Sequence, residues 1–151
     1  MTAPRDGFDD PVLGRFEPHH EIAYTTTRTP RRAKPYRLIW EPRDPEVPTV
    51  AIEVAREYAS WFETERRRIH AHVADALWSL WQRSWSSSKD RRDVRTTLRG
   101  FARRITLRSL TVSLEDDLAV YATYVDGDLF GGHRILQGLL DRDLMKPELQ
   151  G

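Results

Sequence analysis

The order of hydrophobic periods along the chain predicts an α+β fold. Residues 12–40 read as strands, residues 49–105 as helices and residues 110–140 as strands again. Strands gathered at both ends of a chain, instead of alternating with helices, favour an antiparallel sheet over a βαβ arrangement. Two further observations support this. The stretch 49–85 contains no Gly or Pro, and the apolar period changes from 3.6 to 2 after Ile105. The expected architecture is a sheet of about five to six strands from both ends of the chain, packed on one long helix and one shorter helix. Residues 1–11 are expected to be loose, and 12–151 to form a single domain, as a length of 151 residues suggests.

The first structured segment is expected at Val12-Leu13-Gly14-Arg15-Phe16. Glu21-Ile22-Ala23-Tyr24-Thr25-Thr26-Thr27, rich in β-branched and aromatic residues, follows as a strand and ends before Thr29-Pro30-Arg31-Arg32. In Tyr36-Arg37-Leu38-Ile39-Trp40 the alternation places Tyr36, Leu38 and Trp40 on one face, and Pro42, Pro45 and Pro48 close the strand.

Between Thr49 and Trp85, Ile52, Ala55, Ala59, Phe62, Ile69, Val73, Leu77 and Leu80 recur at spacings of three and four or their sums, the stripe of an amphipathic helix. Arg66 stands where the stripe requires an apolar residue, so the helix either kinks there or is two abutting helices. Ser87 and Asp90 have the spacing of a capping box for a second helix. Val94, Leu98, Phe101 and Ile105 form its narrow apolar face, with Gly100 an internal weakness. Leu110, Val112 and Leu114 then alternate with Thr111 and Ser113. The strongest strand signal is Leu118–Val125, and a further strand is expected over His133–Leu140, with a tail that can add an edge strand.

Composition excludes several chemistries. With no Cys there is no thiolate nucleophile, cysteine-ligated zinc or disulfide framework, and a reducing cytoplasm is the compartment that fits. Met1–Gly7 carries no apolar targeting segment, and no run approaches the ~18 apolar residues that a membrane helix needs. No membrane association is expected. His70 and His72 point about 200° apart on a helix and cannot chelate together. His19-His20 is at best a weak site, so no metal and no cofactor are expected. No nucleophile elbow, phosphate-binding glycine loop or zinc-protease motif is present. The acidic pairs Asp116-Asp117 and Asp126-Gly127-Asp128 suit turns.

The net charge of +1 conceals a polarity. Residues 86–113 carry eight basic residues (Lys89, Arg91, Arg92, Arg95, Arg99, Arg103, Arg104, Arg108) against two acidic ones, a net +6. Residues 114–151 carry three basic against eight acidic residues, a net −5. The helix face bearing Arg91, Arg92, Arg95, Arg99 and Arg103 is a candidate nucleic-acid surface. A solvated face explains it more simply, because no aromatic residues interleave with the arginines. Only three of the 24 basic residues are Lys. Trp78, Trp81 and Trp85, at i, i+3 and i+7, either extend the core or leave an aromatic patch for a partner, with core favoured. Trp61 falls nearly opposite the apolar stripe and is expected to be an exposed interface residue.

The most distinctive segment is Asp128-Leu129-Phe130-Gly131-Gly132-His133-Arg134-Ile135, after a strand ending in Asp126-Gly127. It resembles the C-terminal motif of a group of small bacterial domains of unknown function. In that group Phe, then Gly or Trp, then Gly-His opens the last long strand and the domain closes near a final Gly, here Gly151. The likeness extends through a strand-rich N-terminus, a long helical region ending in Trp85, and a short helix leading into Leu107-Arg108-Ser109-Leu110-Thr111-Val112, most of residues 12–151. Related domains resemble immunity proteins of bacterial toxin systems. The resemblance thus implies a non-catalytic domain that binds a protein partner, such as a cognate toxin, with Asp126, Asp128, Phe130, Gly131, Gly132 and His133 as contacts alongside Trp61. The alternatives are a nucleic-acid-binding domain and an enzyme acting through His133 with Asp126 or Asp128. As a purely structural residue, His133 would bond a backbone group while Gly131 and Gly132 permit a bulge.

Overall fold

A computed structural model describes residues 5–85 and 97–151. The fold is α+β. Strands β1 (Phe8–Asp10), β2 (Gly14–His20), β3 (Ala23–Arg28) and β4 (Tyr36–Glu41) precede helix α1 (Ile52–Leu80), which continues as a π-helical turn, Trp81–Trp85. Helix α2 (Leu98–Arg104), strands β5 (Thr106–Ser113), β6 (Ala119–Val125) and β7 (Arg134–Gly138), a 3-10 turn (Leu140–Arg142) and β8 (Glu148–Gln150) complete the described elements. The strands lie in chain order in one eight-stranded sheet. That exceeds the expected five to six, because β1 and β8 are three residues each, too short to show a period. The pairs β1–β2, β2–β3, β3–β4 and β7–β8 are antiparallel, whereas β4–β5 is parallel, with Leu38 opposite Leu110 and Trp40 opposite Val112. A parallel pair needs a long crossover, and α1 lies within it.

The chain divides into two compact units, Met1–Thr64 with Ser109–Tyr121, and Glu65–Arg108 with Ala122–Gly151. In the first, Tyr36, Leu38 and Trp40 are buried on one face of β4 as the alternation predicts. Phe8 stacks on Phe16 and meets Tyr24 edge-on, and Tyr36 meets Phe62 edge-on. The proline-rich connection after β4 is tied down by two polar tips of buried aromatic residues. Trp40 Nε1–H donates to the Pro48 carbonyl (2.8 Å) and Tyr24 O–H to that of Pro45 (2.6 Å). On β5, Leu110, Thr111, Val112 and Ser113 are all buried, so Thr111 and Ser113 do not face solvent as alternation suggests. A central strand covered on both faces loses the period-2 signal.

The polar start of the chain is anchored rather than loose from Phe8 onward. The buried Asp10 carboxylate accepts from the Val12 and Leu13 amides (3.0 and 2.8 Å) and pairs bidentately with Arg56 of α1. Burial alone would push this carboxyl up. The Arg56 hydrogen bonds and the Leu13 and Val12 amides outweigh burial and hold it below its ordinary value of 3.8. A carboxyl depressed in the folded state contributes stability that is complete above its unfolded value and is lost as pH falls through the folded one. Asp10→Asn should therefore lower the denaturation midpoint at pH 6, and the gap from the wild type should close progressively below pH 4. Equilibrium unfolding in urea at a series of pH values checks this; a gap of constant size would show that the ionised carboxylate is not what matters.

The stripe on α1 is as expected, with Ile52, Ala55, Ala59, Phe62, Ile69, Val73 and Leu77 buried, but Arg66 neither kinks nor splits the helix. It is half-buried in α1, where a long aliphatic stem can line apolar surface while the guanidinium reaches polar surroundings. In the second unit, His70 Nε2–H donates to the Ala102 carbonyl (2.8 Å) and His72 Nε2–H to that of Met145 (3.0 Å), so each helical histidine secures a separate segment. The rings of His19 and His20 lie 5.0 Å apart. Among the described residues no group of three or more His, Cys, Asp or Glu is placed to hold a metal ion. No helix among them is long and apolar enough to cross a membrane.

Candidate functional site

The residues of the distinctive C-terminal motif form one built feature in the second unit. It starts from Asp126, a buried carboxylate at the end of β6. Its Oδ1 accepts from the Asp128 amide (2.9 Å), and Oδ2 from the amides of Phe130 (2.9 Å) and Gly132 (3.0 Å). Three amide donors compensate an anion that would otherwise be costly to bury. They also fix the path of the chain, since successive amides point inward only if the backbone turns through left-handed conformations. Gly127, Asp128, Gly131 and Gly132 all have positive φ. Glycine is required most strictly at Gly127, where a Cβ would lie 2.6 Å from the Arg104 carbonyl oxygen. The Arg104 guanidinium in turn donates to the Gly127 carbonyl, which joins the C-terminal end of α2 to the loop. Helix α2 is itself capped, with the Thr97 side chain accepting from the Gly100 amide (3.0 Å).

Folding the loop this way buries Phe130 and presents Gly131, Gly132 and His133. Phe130 meets Phe101 of α2 and Trp85 edge-on, at 6.1 and 5.6 Å between centroids. Trp85 also meets the His133 ring at 5.3 Å. The π-helical turn matters here. In an unbroken α-helix Trp78, Trp81 and Trp85 would share one side, but the wider turn changes the rotation between Trp81 and Trp85. Trp81 is buried, Trp78 is half-buried and Trp85 is 39% exposed. The indole rests on the loop with part of its surface in solvent.

His133 Nδ1 bonds the Phe130 carbonyl, and a carbonyl only accepts, so Nδ1 carries the proton and the neutral ring presents Nε2 as an acceptor. The ring lies against Gly151, where a Cβ would overlap Cδ2 and Nε2. This gives a steric reason for a glycine at that position.

The predicted site residues thus separate. Asp126, Asp128, Phe130, Gly131, Gly132 and His133 come together in the loop. The two carboxylates and the imidazole do not form an acid–base constellation, because both Asp126 oxygens are occupied by amides and His133 is directed by Phe130. Trp61 belongs to the first unit; it is half-buried against Tyr58, not the exposed indole its position predicts. The exposed one is Trp85, which the sequence assigns to the core because α-helical spacing cannot anticipate a π turn. Arg99, Arg103 and Arg108 are exposed, whereas Arg91, Arg92, Arg95 and the Ser87–Asp90 capping box lie outside the described residues.

Over residues 10–143 the chain matches a family described as an uncharacterised protein conserved in bacteria, DUF2262. No curated protein and no solved structure matches it.

Proposed function

The chain belongs to the DUF2262 family of proteins conserved in bacteria, and from that premise we propose that it is a non-catalytic protein-binding module whose contact surface is Trp85 with Gly131, Gly132 and His133. The observation that carries this reading is the exposed indole of Trp85, seated on Phe130 and His133 by a π turn and a loop with four positive-φ residues. Left-handed backbone and π turns cost folding energy and recur at functional sites. Tryptophan is among the residues most enriched where protein interfaces concentrate their binding energy. Gly132 adds open space, with no atom within 4 Å of where its Cβ would stand, so a partner's backbone can approach closely. Blocking a toxin is the specific form of binding that the resemblance of the 128–135 motif implies. The cysteine-free composition suits action in the cytoplasm.

The test is affinity capture from the native strain with the full chain as bait, beside Trp85→Ala. A protein recovered with the wild type should bind the variant about 30-fold more weakly, the loss expected of an interface hot spot. The variant should remain folded, with stability reduced by about 1–2 kcal/mol for a side chain only partly buried. If capture returns no protein reproducibly, or if the recovered protein binds Trp85→Ala as well as the wild type, the reading fails.

A further inference from the structure

The elements that build this surface also carry a consistent charge. The π turn, α2 and the 126–134 loop hold Arg83, Arg99, Arg103, Arg104 and Arg134 against Asp126 and Asp128. Of the carboxylates only Asp128 is exposed, since Asp126 is buried beneath its three amides. Of the arginines, Arg83, Arg99, Arg103 and Arg134 are exposed, while Arg104 is tied to Gly127. The same elements leave two large apolar side chains in solvent, Trp85 and Leu98 at 39% and 37%. An aromatic and aliphatic centre accompanied by arginines has the composition of a protein interface with a charged rim. A nucleic-acid surface is more polar and more uniformly basic.

Resting on the protein-binding reading, we infer that the partner presents an acidic protein surface, aspartate and glutamate side chains set around an apolar contact that meets Trp85 and Leu98. The guanidinium group suits this role. Its planar fork engages a carboxylate through two parallel hydrogen bonds, and it loses less on desolvation than an ammonium. Opposite charge at the rim accelerates encounter and rejects partners of the wrong sign.

The test places the photo-crosslinking residue p-benzoylphenylalanine at Arg99 of the full chain in the native strain, with the same residue at Asp116, exposed in the first unit, as background. The expected result is an adduct with one protein, mapped by mass spectrometry to a segment of net negative charge. Binding of that purified protein should weaken about tenfold in an Arg99→Glu, Arg103→Glu double variant that keeps its circular dichroism spectrum, and again when salt is raised. Replacing the mapped acidic residues of the partner by Lys should restore binding to the double variant. An adduct with a neutral or basic segment, with a second copy of this chain or with nuclease-sensitive nucleic acid overturns the inference, as does the absence of any adduct above background. If Trp85→Ala loses the partner while charge reversal leaves affinity unchanged, the binding surface stands and the acidic partner does not. If neither change matters, both fall.

Discussion

Asp126→Ala should lower stability by about 3 kcal/mol, far beyond what truncating a turn aspartate normally costs. The substitution removes both oxygens that accept from Asp128, Phe130 and Gly132. It leaves amide donors pointing into a space from which water is largely excluded, and the loop must open to satisfy them. For a chain of this length that is a fall in Tm of about 6–12 °C. Asp126→Asn should recover only part of the loss, because one of its two terminal atoms becomes a donor facing donors. Thermal unfolding followed by far-UV circular dichroism gives the size of the effect. Near-UV spectra report whether Trp85 leaves its seat on Phe130. A shift below 2 °C would show that the three amides are satisfied without the carboxylate.

Gly127→Ala is the second large effect, and Gly132→Ala provides its comparison. Both glycines have positive φ, so alanine is strained at each, by about 1 kcal/mol on conformational grounds alone. They differ in surroundings. At Gly127 the new methyl would lie 2.6 Å from a backbone oxygen, that of Arg104, while at Gly132 it would meet nothing within 4 Å. Backbone at the end of α2 cannot give way without breaking the Arg104 contact to the loop, so Gly127→Ala should cost about 3 kcal/mol in total. Gly132→Ala should remain near 1 kcal/mol and act instead on partner affinity, since it fills the open approach beside His133. Paired urea titrations distinguish the two, and equal costs would refute the steric account.

The sequence made the helical framework and most strands legible because burial there follows a simple period. Seven of the eight residues in the α1 stripe are buried and Leu80 is half-buried, and β4 alternates as read. What escaped has physical reasons. Three-residue strands such as β1 carry too few positions to define a period; β1 is instead announced by Asp10, whose carboxylate turns the chain and meets Arg56. The parallel β4–β5 pair erased the alternation of β5 by burying both its faces. At the site, the Gly-Gly-His segment marked the loop correctly, but the roles within it depended on bonds with no sequence signature. Asp126 read as a turn residue and organises the whole loop. Trp85 and Trp61 exchanged expected exposures, the first because a π turn changes the helical rotation, the second because Tyr58, three residues before it, covers part of the indole.

The parallel pairing of β4 with β5 also bears on the order in which the chain can fold. Arg37 through Glu41 find their partners in Ser109 through Ser113, beyond all of α1 and α2. Contacts so distant in sequence close slowly, after the intervening chain has lost its freedom. During synthesis the first four strands therefore emerge with one side of β4 unpaired, and the apolar side chains of Leu38 and Trp40 wait for Leu110 and Val112. The unit formed by Met1–Thr64 and Ser109–Tyr121 cannot be completed from its N-terminal portion alone. A growing chain that stops before β5 presents an adhesive strand edge, making this half of the molecule the part most dependent on chaperones and most exposed to misassembly at the ribosome.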